Sequence, residues 1–323
     1  MLFRSRRSAE GHTGVGYSPT SRPATATGAG RLVERAVERT AVLAFRGSSW
    51  LLGRIPAGIV DAGARAAFRV GYLVWGSKRR IIHANAARVL GRPEDDPATA
   101  RLAKAIFTSY ARFTVEPMRL PHAPQDEPLR LLPASGPGHA GIIGTWERCL
   151  AEGRGVIAVS GHIGSIDVFA GAYALRGLPT FALADDTAFP ELFDLLNRQR
   201  RRWGVTIIPW RNLREVFRVM RTPCVLGMVV DWGYRPDDLP VRLFGRWTTL
   251  PAGPATLAAR SRASILPVAA IREPDGRYRS VAAPPIDVAD GSPAEILRAT
   301  QAIADALETL VRPDPRQIGR AHV

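Results

Sequence analysis

The sequence predicts an α/β fold in which a central mixed, largely parallel sheet is flanked by helices and follows an N-terminal amphipathic helical region that associates with a membrane. Three observations predict it. The 323 residues, 46% of them hydrophobic, are enough to bury a sizeable core, which excludes a disordered or fibrous chain. Short apolar runs alternate with helical stretches over residues 136–317. The helical patterns before them carry many arginines beside apolar residues.

The first 30 residues predict a disordered tail. They are rich in Gly, Ser, Thr, Ala and Pro and contain no apolar run long enough for a signal peptide. Farther along, no stretch reaches the roughly 18 consecutive apolar residues of a spanning helix, so we do not expect the chain to cross a membrane. The two cysteines, Cys149 and Cys224, support neither a disulfide framework nor a cysteine metal site, and they indicate a reducing, cytoplasmic compartment.

Residues 31–135 are interpreted as a helical region that lies on a membrane surface. Helical patterns run over 31–52 and 59–75, and the second repeats charged residues every four positions. Residues 31–90 include eleven basic and three acidic residues, a local net charge of +8 within a chain of net charge +15. Basic faces beside Trp, Phe and Leu suit the headgroup layer of an anionic bilayer. The alternative is an ordinary surface helix packed on the domain, because both are amphipathic.

Residues 136–317 are interpreted as the catalytic α/β region. A helix over 99–119 and a proline-rich connection near 120–138 precede it. Its apolar runs predict strands at 155–160, 180–184, 205–210, 224–230, 264–271 and 278–283. Helices are predicted at 140–152, 166–176, 190–203, 211–221, 254–262 and 293–311. Continuous apolar runs indicate strands covered on both faces, hence parallel pairs, and active sites of such sheets collect where strands end and helices begin.

His162 is the leading candidate for a general base. It follows strand 155–160 directly, in a glycine-bounded turn, and Asp167 lies five residues later in the first turn of the next helix. A carboxylate there can reach back to the imidazole, fix its tautomer and stabilise the imidazolium formed when His162 accepts a proton. The alternative is that His162 merely caps the helix.

Three further positions could serve the same site. Asp231 ends strand 224–230, so an adjacent loop of one sheet would place it near His162, although it could equally be a solvated loop residue. Gly253 opens a helix whose free backbone N–H groups can bind phosphate or an oxyanion, and we expect it to bind substrate, although many helices begin this way. Arg200 belongs to an arginine cluster at a helix C-terminus, where the dipole favours arginine and a solvated cluster is the commoner explanation, although the guanidinium also matches phosphate oxygens.

Together these pieces resemble the bacterial lipid A biosynthesis acyltransferase family, and within it the phosphatidylinositol mannoside acyltransferase branch. The resemblance runs from about residue 40 to 317. It rests on NAARVLG at 85–91, RGVIAVSGHIGSID at 154–167, RxxxG at 200–204, Asp231, and the run at 243–279. That last run is the most specific, since it contains Phe-Gly, Pro-x-Gly-Pro, an apolar strand and Pro-Asp-Gly-Arg-Tyr in that order.

The resemblance implies transfer of an acyl group from an acyl thioester, on coenzyme A or acyl carrier protein, to a hydroxyl of a membrane glycolipid of the phosphatidylinositol mannoside or lipid A type. It makes His162 the general base, Asp167 its orienting partner and Asp231 a further acidic residue of the site. Arg200 matches the family's site arginine, and Ser165, where the family usually has Asn, is expected to bind substrate. No metal or other cofactor is implied, because a thioester is already activated and a base with oxyanion donors suffices.

The expected setting follows from these implications. We expect a monomer, peripheral at the cytoplasmic face of the plasma membrane, that contacts an anionic membrane surface, an acyl donor and a glycolipid acceptor, and no nucleic acid. Two alternatives stay open: a thioester or phosphoester hydrolase that shares the His162 site, and a basic nucleic-acid-binding module that uses the arginine clusters. Residues 318–323 replace the family's Trp-rich basic segment and read like a translated sequencing adapter, so an artefact is expected there.

Overall fold

The computed structural model of the chain describes residues 28–184, 190–231 and 238–318, with side chains described from residue 36 onward. The disordered tail predicted for residues 1–30 therefore lies outside the described residues as far as residue 27, and a helix already begins at Gly28. Of the artefact predicted at 318–323, only Ile318 is described. It is buried and forms a β-bridge with Ile163, so it belongs to the fold.

A layer of four helices precedes the sheet. They are α1 (Gly28–Arg54), α2 (Ala57–Val74), α3 (Gly76–Leu90) and α4 (Pro97–Arg119). The start of α4 is set by Asp96, whose carboxylate accepts the N–H of Ala98 at 2.6 Å, with proline at the first helical position. Within the described residues no helix is long and apolar enough to cross a membrane.

Helix α4 organises this layer, because α1, α2 and α3 all pack against it. Its apolar side chains recur three or four positions apart and are buried: Leu102, Ala103, Ile106, Phe107 and Ala111. Arg112 of α4 also grips the carboxylate of Asp61 on α2 with two N–H groups. Helices α1, α2 and α3 of the predicted membrane-surface region are therefore held by α4, which belongs to the same region.

The central sheet has six strands in the order β3-β2-β4-β1-β7-β8. The strands are β1 (Val156–Ser160), β2 (Thr180–Ala184), β3 (Thr206–Pro209), β4 (Val225–Val229), β7 (Ser264–Arg272) and β8 (Tyr278–Ala282). All pairs are parallel except β7 with β8. The predicted mixed, largely parallel sheet is confirmed, and each of its strands lies within two residues of its predicted bounds.

Helices cover both faces of this sheet. They are α5 (Glu127–Leu131), α6 (Gly136–Ala151), α7 (Ile166–Leu175), α8 (Pro190–Arg201), α9 (Leu213–Val219), α10 (Gly253–Ser261) and α11 (Pro293–Val311). The side chains of β1 alternate between two cores: Ile157 and Val159 belong to the core with α10 and α11, whereas Val156 and Ala158 belong to the core with α6 and α7. This burial on both faces explains the continuous apolar runs.

Helix α3, the five-residue helix α5 inside the predicted proline-rich connection and one hairpin escaped the sequence analysis. Helix α3 carries Lys78, Arg79 and Arg80 in succession, which blurs its apolar face. The hairpin of β5 (Leu239–Leu243) and β6 (Arg246–Leu250) turns through Phe244 and Gly245, both with positive φ, at 48° and 72°. Positive φ at both central residues fits the tight hairpin turn usually made by Asn-Gly, so Phe-Gly gave no recognisable turn signal.

Candidate active site

The loop that carries His162 is fixed by two glycines. Gly164 has φ 61°, and a Cβ there would lie 1.6 Å from the carbonyl oxygen of Ala270 in β7, so a side chain is excluded on both counts. A Cβ at Gly161 would lie within 3.2 to 3.4 Å of the Asp231 side chain. Because these two positions have no side chain, the loop packs closely against β7 at Gly164 and against Asp231 at Gly161.

Asp231 holds His162 by its ring and by its backbone. The Nδ1–H group of His162 donates to Oδ1 of Asp231 at 2.8 Å, and the backbone N–H of His162 donates to Oδ2 at 2.8 Å. The two residues meet because β1 and β4 are adjacent parallel strands whose carboxyl ends share one edge of the sheet. A carboxylate only accepts hydrogen bonds, so the Nδ1 proton is fixed and Nε2 carries the lone pair of the ring.

Asp167 does not hold the imidazole as the sequence predicted. Its Oδ1 accepts the Nε–H of Arg200 at 2.6 Å, and its Oδ2 accepts an Nη2–H of the same guanidinium at 3.3 Å. Asp167 lies in the first turn of α7, opposite α8, which carries Arg200. The orienting carboxylate comes from the neighbouring strand end instead, and the predicted orienting partner forms a bidentate pair with the predicted substrate-binding arginine.

Ser165 is the N-cap residue of α7, and a residue of α4 in the N-terminal helical layer binds its side chain. Its hydroxyl accepts the N–H of Val168 at 3.3 Å and donates to Oε1 of Glu116 on α4. The other oxygen of Glu116 accepts hydrogen bonds from Arg272 and Tyr278. Burial, and then the charge of Glu116, raise the pKa of Tyr278 well above its ordinary value, so its phenol stays protonated and donates.

Sequence reasoning missed Glu116, Arg272 and Tyr278. The one available signal for Glu116 was an acidic residue in the predicted helix 99–119 followed at once by proline, a pattern that many surface helices share. Arg272 and Tyr278 come from the antiparallel pair β7 and β8 and reach Glu116 across more than 150 residues of chain. No local pattern predicts such a contact.

A cavity of about 770 Å³ opens beside these residues. His162, Ser165, Asp167 and Arg200 line it together, and its remaining lining is mostly apolar. The cavity lies on the sheet face that carries Val156 and Ala158, between the sheet and the helices of that face. A basic imidazole beside a deep apolar cavity suits the deprotonation of a hydroxyl next to a bound hydrocarbon chain.

Known proteins resemble this chain over most of its length. The model of the family "Bacterial lipid A biosynthesis acyltransferase" matches residues 40–318. The chain belongs to this family. The phosphatidylinositol mannoside acyltransferase of Mycolicibacterium smegmatis is 30% identical over 257 residues, which cover 77% of this chain and 78% of the relative. The protein of the same name from Mycobacterium tuberculosis is 28% identical over 290 residues, which cover 86% and 87% of the two chains.

The protein is therefore an acyltransferase, as the resemblance implied. Four of the six site residues predicted for this acyltransferase line one cavity, and a fifth, Asp231, is hydrogen-bonded to His162. Gly253 does not appear among the described residues that line the cavity, although a Cβ there would lie 3.7 Å from the side chain of Met228, which does line it. Substrate binding by Gly253 stays a prediction.

Proposed function

We propose that this acyltransferase moves a fatty acyl group from an acyl thioester, on coenzyme A or acyl carrier protein, to a hydroxyl of a membrane glycolipid of the phosphatidylinositol mannoside type. His162 acts as the general base. The observation that carries the proposal is the imidazole held by Asp231 in the wall of a large apolar cavity.

In the proposed reaction one residue, His162, serves first as the general base and then as the general acid. Nε2 of His162 takes the proton of the acceptor hydroxyl while its oxygen attacks the thioester carbonyl carbon, and the resulting imidazolium is stabilised by Asp231. The tetrahedral oxyanion then collapses, the carbon–sulfur bond breaks, and the departing sulfur takes the proton back from His162. The thioester thus yields an ester and a free thiol, with no covalent enzyme intermediate.

Arg200 and Asp167 serve the donor in this proposal. The guanidinium of Arg200 lines the cavity and is held by both oxygens of Asp167, so its orientation is set before substrate arrives. Its remaining N–H groups can bind the thioester carbonyl oxygen or phosphate groups of the donor. Asp167 is then a positioning residue for Arg200, and Ser165 holds the start of α7 at the cavity wall.

The acyl chain is assigned to the apolar part of the cavity. Side chains at alternate positions of β1, namely Val156, Ala158 and Ser160, line it along the whole strand. At about 3.3 Å per residue, the floor from Val156 to Ser160 is on the order of 13 Å long. A fatty acyl chain offers this surface the contacts and the release of water that an apolar cavity requires.

The acceptor is expected to arrive from a membrane surface beside α1 and α2. These helices expose large apolar side chains, with Trp50 at 55%, Leu73 at 69% and Val74 at 77%. Arginines flank them, and the guanidinium of Arg54 stacks over Trp50 at 3.9 Å. Phe45 of α1 lines the cavity, so the cavity reaches the helix that carries this exposed apolar surface. This arrangement supports a peripheral membrane enzyme, and we propose that it acts at the cytoplasmic face of the plasma membrane.

The test compares His162→Ala with a matched control, His83→Ala. His83 lies on α3, outside the cavity lining, and its Nε2 is hydrogen-bonded to the hydroxyl of Tyr72 at 2.7 Å. Purified proteins are given palmitoyl-CoA and vesicles that contain a phosphatidylinositol mannoside, and both the free thiol and the acylated lipid are measured. We expect His162→Ala to lose at least about 100-fold in rate with unchanged thermal unfolding, and His83→Ala to stay active. Retained transfer by His162→Ala would refute the base assignment.

The same assay separates the competing activity. Thiol release that is equal with and without the lipid acceptor, with free fatty acid as the product, identifies a hydrolase. Transfer to a lipid A precursor but not to the mannoside would show that the acceptor is of the lipid A type. Replacing palmitoyl-CoA by palmitoyl acyl carrier protein distinguishes the two donors.

A further inference from the structure

The floor of the cavity contains a row of small residues that crosses the sheet. Ala182 of β2, Gly227 of β4 and Ala158 of β1 are register partners, Ala182 with Gly227 and Gly227 with Ala158. All three line the cavity. The row lies two residues deeper in the strands than Ser160, which is itself two residues before His162.

Larger side chains border this row. Its lateral neighbours are Ile207, the partner of Ala182, and Leu266, the partner of Ala158. The next row toward the strand starts consists of Thr180, Val225 and Val156, which also line the cavity. The three small residues therefore form a trough one side chain deep, with Gly227 at its centre.

Neither the backbone nor the packing of the protein requires glycine at position 227. Its φ is not positive, unlike that of Gly164. A Cβ there would lie 3.5 Å from the Cβ of Ala182 and 3.5 Å from the carbonyl oxygen of Phe181, which are ordinary contacts. Glycine inside a central strand weakens the sheet, and it commonly marks a place where a ligand approaches the backbone closely.

We propose that Gly227, with Ala158 and Ala182 beside it, determines which acyl chains the enzyme accepts, because the hydrocarbon chain runs along the strands and passes directly over Gly227. The inference rests on the proposed function and adds the residue that limits the length of the acyl chain. Ala158 lies two residues before the end of β1 at Ser160, which is about 7 Å of strand, and His162 follows in the loop two residues later. A side chain at position 227 fills the trough and excludes chains that extend past it.

The experiment measures rates for octanoyl-, lauroyl-, myristoyl- and palmitoyl-CoA with wild type, Gly227→Ala, Gly227→Leu and Gly144→Leu. Gly144 is an exposed glycine of α6 with open space at its Cβ, so it controls for the loss of a glycine. We expect the palmitoyl-to-octanoyl rate ratio to fall at least about tenfold in Gly227→Leu and less in Gly227→Ala, and to be unchanged in Gly144→Leu. Wild type should accept palmitoyl chains, since the cavity continues past the trough to Val156 and Val225.

A folded, active Gly227→Leu enzyme with the wild-type ratio overturns the inference and leaves the proposed function intact. If wild type transfers and hydrolyses none of the thioesters, the proposed function fails; direct binding of myristate and octanoate, measured by calorimetry, then tests the trough without catalysis. If Gly227→Leu does not fold, Ala182→Leu fills the same trough from β2. The inference requires that variant to shift the ratio in the same direction, and an unshifted ratio overturns it.

Discussion

Asp231 binds His162 twice, with Oδ1 on the ring Nδ1–H and Oδ2 on the backbone N–H, each at 2.8 Å. The pair of bonds fixes the rotation of the imidazole relative to its own backbone as well as its tautomer. Asp231 is only 9% exposed, so water competes little for either bond. The carboxylate is thus a structural part of the loop and, in the proposed reaction, the partner of the imidazolium.

Asp231→Asn tests the charge of the carboxylate together with one of its two hydrogen bonds. The amide retains the size of the side chain and one acceptor oxygen, but its NH2 group cannot accept the second N–H, and it carries no charge to stabilise an imidazolium. We expect kcat to fall by about 1000-fold, with KM changed little, by analogy with other histidines that lose their carboxylate partner. Asp275→Asn, an exposed carboxylate in a turn, is the control and should keep full activity. A kcat within a factor of two of wild type would contradict the assignment.

The pair Asp167–Arg200 is open to a double-mutant cycle. The side chains of Asp167 and Arg200 are 19% and 23% exposed and share two hydrogen bonds. Each single change therefore leaves the other charged side chain without its ion-pair partner. We expect Asp167→Asn and Arg200→Gln to be coupled by about 1 to 3 kcal/mol in the free energy of unfolding, measured in urea. Additive single changes would show that the pair is not an energetic unit. In the proposed reaction, Arg200→Gln should also raise KM for the acyl donor.

Stability should depend on pH through Asp61. Burial alone would raise the pKa of Asp61, but hydrogen bonds and charge from Arg112, with the charge of Arg65, hold it below its ordinary value. The stabilisation is therefore complete above the unfolded pKa of about 3.9 and is lost as the pH falls through the lower, folded pKa. We expect Asp61→Asn to lower the free energy of unfolding by about 2 kcal/mol at neutral pH, and by progressively less in acid.

Asp126→Asn is the matched control for that measurement. Asp126 pairs with Arg130 four residues later, and both side chains are more than half exposed, so the pair should contribute little at any pH. A cost of Asp61→Asn that stays constant down to acid pH would indicate that lost packing, and not the ion pair between α2 and α4, explains the effect.

Membrane binding should depend on α1 and α2. The double change Trp50→Glu with Leu73→Glu places two charges on their exposed apolar surface. We expect co-sedimentation with vesicles of phosphatidylglycerol and phosphatidylcholine to weaken at least about tenfold, because each buried apolar side chain contributes some 1.5 to 3 kcal/mol. Trp247→Glu is the control, since Trp247 is 68% exposed on the β5–β6 hairpin. Equal losses in the two proteins would refute the assignment to α1 and α2.

Much of the fold was predictable because local patterns of apolar residues and turn residues determine its strands and helices. The strand at 180–184 was predicted to the residue, since an inner strand of a parallel sheet is a short apolar run bounded by turn residues. The end of α4 at Arg119 was predicted because proline follows closely. Helix α3 was missed because consecutive cations hide its apolar face, and the Phe244–Gly245 hairpin because its turn uses an uncommon residue pair. The short helix α5 was missed because it lies in a proline-rich connection.

Residue order and chemistry indicated that His162, Asp167 and Asp231 could share one site, because they lie at or just after the carboxyl ends of strands, and the family resemblance added Arg200. Which carboxylate meets which cation was decided by the assembled sheet. Asp231 reaches the imidazole because β4 pairs with β1, whereas Asp167 forms an ion pair with Arg200 of α8. Hydrogen bonds act over about 3 Å, so partners depend on strand register and helix packing, and these bring together residues that are far apart in the chain.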